Sequence, residues 1–192
     1  MRKLTVADIK DLREYERERD AFRSEIIAMK AQRRVPLGDL MTIVFENAAT
    51  MRFQIQEMAR AERMLRDEQI AHEVETYNEL VPETGELSGT LFIEITDEEA
   101  LRYWLPRLVG IHERVGLVVG GELSRGRAQD VERLTRSDTT PTVHYLKFAL
   151  GAAQQAAFAD GPVRIVVDHP EYQADVTLTD DQRDELAGDL AS

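Results

Sequence analysis

The chain has 192 residues, of which 43% are hydrophobic and 31% charged, a balance that suits one folded domain and excludes a disordered chain. With no cysteine, it cannot form disulfides, use a thiol nucleophile or hold an iron–sulfur or zinc centre through cysteine. The net charge is −12, and residues 67–192 carry 10 Lys+Arg against 25 Asp+Glu, which repels phosphate backbones and argues against nucleic-acid binding.

The first segment, residues 5–31, reads as a helical arm packed on the body of a single domain spanning 1–192. Val6, Ile9, Leu12 and Tyr15 step by three, the run ERERD (16–20) is fully charged, and Phe22, Ile26 and Met29 then resume. That break predicts two helices or a kink near Asp20. The basic cluster Lys30, Arg33 and Arg34 follows, too small to reverse the acidic character. RRVPLGDLMTIVFE (33–46) reads as a hairpin with a two-residue Gly38-Asp39 turn, and Pro36 marks an edge strand.

Asn47 suits the N-cap of a helix over 47–66. Met51, Ile55, Met58 and Leu65 form one stripe of it, with Glu62 in their midst and Phe53 and Met64 opposite. A carboxylate in an apolar stripe needs a partner, and Arg66 stands four residues on. Glu57 has Arg60 three residues on. This predicts a helix covered from both sides, by the arm or by a second subunit, and an interface rather than an active site.

A further helix, DEQIAHEVETYNEL, closes at VPETGE. Then come a strand at 88–95, a helix after a Thr96/Glu99 capping box, a buried strand at 114–119, and a polar loop over 120–140. A strand at 142–150, a short helix, a strand at 163–168 and a strand at 172–178 follow, and Thr179 with Gln182 caps the last helix. The predicted class is α+β, a mixed and mainly antiparallel sheet with helices mainly on one face. The order over residues 88–178 resembles the split pattern of a ferredoxin-like core.

The four histidines, His72, His112, His144 and His169, form neither Glu-x-x-His nor His-Glu-x-x-His. His72 and His169 remain the candidate metal ligands, and no cofactor is expected. VDHPEY (167–172) places Asp168 and His169 at a strand end, where an aspartate could orient a histidine base. The same residues are good turn chemistry, which is the stronger reading. Asp168, His169, Glu57 and Glu62 are therefore the candidates for an acid–base or metal-dependent enzyme. His144 reads as a packing residue. GGELSRG (120–126) lacks the spacing of a phosphate-binding loop, and no serine sits in a nucleophile motif.

The stretches EYERERDAFRSEIIAMKAQRRVPLG, FENAATMRFQIQEMARAERM, YNELVPETGELSGTLFIEI, LVGI and VDHPEY together resemble a bacterial family known as the domain of unknown function 3501. The resemblance covers essentially the whole chain. It implies a single-domain cytoplasmic protein encoded near rubrerythrin-like proteins and iron–sulfur oxidoreductases, and it carries no catalytic residues over. A cytoplasmic location also fits MRKLTVADIK, which has no signal-peptide core, and the lack of any bilayer-length apolar run. Lacking the cysteines of an electron carrier and the Glu-x-x-His of a rubrerythrin, the chain suits an accessory or scaffold role. It would be homo-oligomeric and bind a redox partner through the helix 47–66 and the acidic C-terminal surfaces.

Overall fold

Residues 1–129 and 138–191 are described by the computed structural model. A short 3-10 turn (Val6–Asp8) leads into helix α1, Leu12–Arg33, which runs without a break through Asp20. The predicted kink is absent because the charged run is neutralised laterally. Arg19 pairs with Glu57 at 2.8 Å, Arg60 reaches Glu16 at 2.5 Å, and Lys10 bridges to Glu14 at 3.3 Å.

Strands β1 (Arg34–Leu37) and β2 (Met41–Glu46) form the expected hairpin, with β1 at the sheet edge as Pro36 requires. Its loop is one residue longer than predicted, since Leu37 pairs with Met41. Gly38 takes a left-handed φ of 71°, and a Cβ there would lie 2.5 Å from the Tyr172 hydroxyl oxygen. That hydroxyl donates to the Leu37 carbonyl and accepts from the Leu40 N–H at 3.2 Å.

Asn47 caps helix α2 (Ala48–Ala61), accepting from the Thr50 N–H at 3.0 Å. Met51 and Ile55, spaced by four, are buried in an apolar cluster with Leu4, Val74 and Val81. Val74 comes from α3 (Asp67–Asn78). Each such large side chain removed from water stabilises by roughly 1.5–3 kcal/mol. The other side of α2 meets α1, where Phe22 and Phe53 pack edge to face at 5.7 Å. The arm thus supplies the second cover predicted for this helix.

The remaining elements are β3 (Glu86–Ile93), α4 (Glu98–Trp104), β4 (Val115–Val119), β5 (Glu122–Arg125), β6 (Arg127–Ala128), β7 (Val143–Ala149), α5 (Ala152–Asp160), β8 (Val163–His169), β9 (Tyr172–Thr177) and α6 (Asp180–Leu190). Thr179 and Gln182 form the predicted capping box of α6. At α4 the cap is Asp97, accepting from the Ala100 N–H at 2.8 Å, in place of Thr96.

The class is α+β, as predicted, but the strands divide into two sheets instead of one ferredoxin-like core. One runs β1-β2-β3-β7-β6 and the other β5-β4-β8-β9, every pairing among the described residues being antiparallel. The stretch read as a polar loop causes the division. Its residues 122–128 form β5 on one sheet and β6 on the other, while 130–137 lie outside the described residues. Gly126 joins the two strands, and a Cβ there would stand 2.9 Å from the Phe148 ring. Phe45, Leu87, Leu91, Leu117, Ile165 and Phe148, from both sheets, fill one apolar core with Phe158 of α5 and Leu186 of α6.

One cation ties the two ends of the fold together. Arg33 is 0% exposed, and its guanidinium donates to the Phe45 carbonyl and to Glu185 Oε1, each at 2.9 Å, and to the carboxylate of Asp189. Burial raises the Asp189 carboxyl above its ordinary range, against the opposing pull of Arg33.

Candidate functional site

Glu57 leaves α2 toward α1 and is half-buried. It accepts from Arg19 Nε and Nη2, both at 2.8 Å, and from the Tyr15 hydroxyl at 2.5 Å. The Arg19 fork, with Tyr15 assisting, holds its carboxyl below the usual range despite partial burial. Burial foremost, then Glu57, pushes the Tyr15 hydroxyl up. Here the carboxylate is a charged acceptor fastening two helices. Its partner is Arg19 instead of the predicted Arg60.

Glu62 is not in a buried stripe. Helix α2 ends at Ala61, Arg63 takes a left-handed φ of 52°, and Glu62 stands exposed at the C-cap. Leu65, expected in the same stripe, is 81% exposed. Arg66, expected to pair with Glu62, instead stands at the N-cap position of α3 without a capping side-chain bond and reaches Gln69 at 3.5 Å.

The Asp168–His169 pair is divided by the strand itself, because neighbouring side chains on β8 point to opposite faces. Asp168 is solvent-facing and forked by Arg125, whose hydrogen bond lowers its carboxyl pKa. His169 is buried, with Nε2 3.1 Å from the Val109 carbonyl and Nδ1 accepting the Glu171 N–H at 3.2 Å. These contacts select the neutral tautomer with hydrogen on Nε2 and pin the Pro170-Glu171 turn. The turn reading of this motif is the one the geometry displays.

His72 is exposed on α3. His144 is fully buried, stacked on His112 at 5.6 Å, with Nε2 3.1 Å from Thr140 Oγ1. Burial, then His112, lowers its pKa to about 4. Among the described residues, Glu57, Glu62, Asp168, His169 and His72 share no partner with one another. No group of three or more His, Asp or Glu among the described residues could hold a metal ion.

A surface feature that the motif search did not single out lies at the end of α4. Tyr103 is 51% exposed beneath the Arg107 guanidinium, 3.8 Å from its ring centre, and packs edge to face on Trp104 at 5.3 Å. Arg107 also donates to the Tyr103 carbonyl at 2.8 Å, which fixes the stack. The signal was present in the sequence, an aromatic and an arginine four residues apart in RYWLPRLV, but it is not a chemistry motif.

A family model described as "Protein of unknown function (DUF3501)" matches residues 3–190. A crystal structure of a novel protein of unknown function from Burkholderia pseudomallei K96243 is similar over 98% of this chain and 100% of that one, with 35% identity and a TM-score of 0.91. A comparison with curated proteins finds no match. No helix among the described residues is long and apolar enough to cross a membrane.

Proposed function

Because the chain belongs to the DUF3501 family, we propose that it is a cytoplasmic accessory or scaffold protein that assembles with itself and docks a protein of a redox system. The observation that carries this reading is the Tyr103–Arg107 stack. A tyrosine half in water, held by an arginine and flanked by Trp104, is the residue set that dominates protein interfaces. The helix 47–66, expected to serve as the interface, has its faces taken by α1 and α3 of the same chain, so the docking surface moves to α4. The redox setting comes from the gene neighbourhood that the family resemblance implies.

The acidic body gives the patch a complement. Residues 67–192 carry 10 Lys+Arg against 25 Asp+Glu, so a second copy offers carboxylates to Arg107. Light scattering of the purified protein against salt is the test. The expected result is an oligomer that loosens as salt rises and falls to the monomer on Tyr103→Ala or Arg107→Glu. A monomer at all concentrations, or an oligomer indifferent to both substitutions, removes the basis for self-assembly. Co-purification with and without Arg107→Glu then tests the redox partner separately.

A further inference from the structure

The stack at the end of α4 has a cation without a counter-ion. Arg107 lies on the Tyr103 ring and bonds a backbone carbonyl, and no carboxylate pairs with it among the described residues. Its neighbour Arg102 is already bridged to Glu98 at 2.5 Å. The complementary features stand at the corner between α2 and α3. Leu65 is 81% exposed there, at the mouth of a cleft of about 210 Å³ whose walls include Val6, Ile9, Leu12 and Ile70. That volume is below the roughly 300–1,000 Å³ of small-molecule sites and suits a single side chain.

Charge gives the corner its sign. On the rim, Lys10 is committed to Glu14 at 3.3 Å and to Glu18, and the Asp11 carboxylate caps α1. Along the corner, Glu62, Asp67 and Glu68 stand exposed against Arg63 and Arg66, and none of the five has an ion pair among the described residues. Asp67 is the one of them that also lines the cleft. An exposed leucine beside an unpaired carboxylate is what an exposed tyrosine beside an unpaired guanidinium requires. The two surfaces are anchored apart on one chain, Trp104 on the two-sheet core and Ile9 and Ile70 on the α2–α3 cluster. We propose that the Tyr103–Arg107 stack of one copy docks on the Leu65 corner of a second. The Tyr103 ring seats on Leu65 at the cleft mouth, and the Arg107 guanidinium meets Asp67. This assignment rests on the α4 reading above and names the acceptor for it. Arg63 is the competitor within the chain for Asp67.

Mixing two variants is the test, because each copy carries both surfaces. Tyr103→Ala removes the stack and keeps the corner, while Leu65→Lys does the reverse at a position too exposed to disturb the fold. In sedimentation velocity each variant alone is monomeric, its Kd for self-association raised at least about tenfold. Their mixture forms a 1:1 pair, since one intact stack then meets one intact corner. Arg107→Glu and Asp67→Arg are each monomeric as well, and a chain carrying both assembles again. Should Asp67→Arg disturb the first turn of α3, where a carboxylate favours the helix, the Leu65→Lys mixture still decides. Corner variants that assemble like the parent while Tyr103→Ala is monomeric overturn this contact and leave the α4 reading standing. A mixture that stays monomeric overturns it too. A Tyr103→Ala protein that assembles like the parent removes both.

Discussion

Replacing Arg33 by methionine removes a cation that no water reaches and leaves its acceptors behind. The Phe45 carbonyl loses its 2.9 Å donor, and the buried Asp189 carboxylate loses its counter-ion. Glu185, 30% exposed at its side chain, can turn to solvent. Breaking one side of a buried pair costs about 3–5 kcal/mol. In a domain of this size each kcal/mol lowers Tm by roughly 2–4 °C, so the variant should melt roughly 6–20 °C below the parent. Burial already raises the Asp189 carboxyl, and without Arg33 only the Asn47 hydrogen bond still opposes it. A raised carboxyl pKa gives stability that is present below the unfolded value and lost as pH rises through the folded one. The deficit should therefore be largest at neutral pH and shrink toward pH of about 4. Thermal unfolding across that pH range measures it, and Arg33→Met with Asp189→Leu should recover at least half the loss. A single variant within about 1 kcal/mol of the parent at neutral pH refutes the reasoning, as does a double variant no better than the single.

Two further outcomes follow from the same kind of argument. Glu57→Gln replaces a carboxylate whose folded pKa is held low, so its stabilisation is present above the unfolded value near 4.3 and lost as pH falls through the folded one. The expected cost is about 1–2 kcal/mol at neutral pH, vanishing in acid, read by urea unfolding at several pH values. His144 is buried with its pKa lowered from 6.5 to about 4, so the stability it lends is full above pH 6.5 and is lost as pH falls toward about 4. His144→Leu should flatten that part of the stability–pH curve, and an unchanged slope would remove His144 as its source.

What could be read in the sequence was what is local. Asn47, Thr179 with Gln182, and Pro36 each act within a few residues, and their caps and edge stand where the pattern put them. Many of the misses are non-local. ERERD reads as a break until Glu57 and Arg60 of another helix arrive beside it. Gly126 reads as loop because only the Phe148 ring, twenty-two residues on, shows why a side chain cannot stand there. Glu62 was placed in a stripe by carrying the helical period past its end, which the left-handed Arg63 sets. Of the candidate residues, Glu57 and His169 are held by specific hydrogen bonds. Their partners, Arg19 and the Val109 carbonyl, lie too far along the chain for spacing to name. Tyr103 and Arg107 went unremarked because exposure, not composition, distinguishes them.

The clamp on Arg33 also sets a timetable for synthesis. Glu185 and Asp189 are translated more than 150 positions after the arginine they hold. Until α6 leaves the ribosome, the cation at the end of α1 has no counter-ion and cannot be buried, so α1 and β2 cannot settle into their final packing. The layer that holds α1 is thus completed only once α6 has been made, and a nascent chain stalled before residue 185 should still show α1 open to a protease.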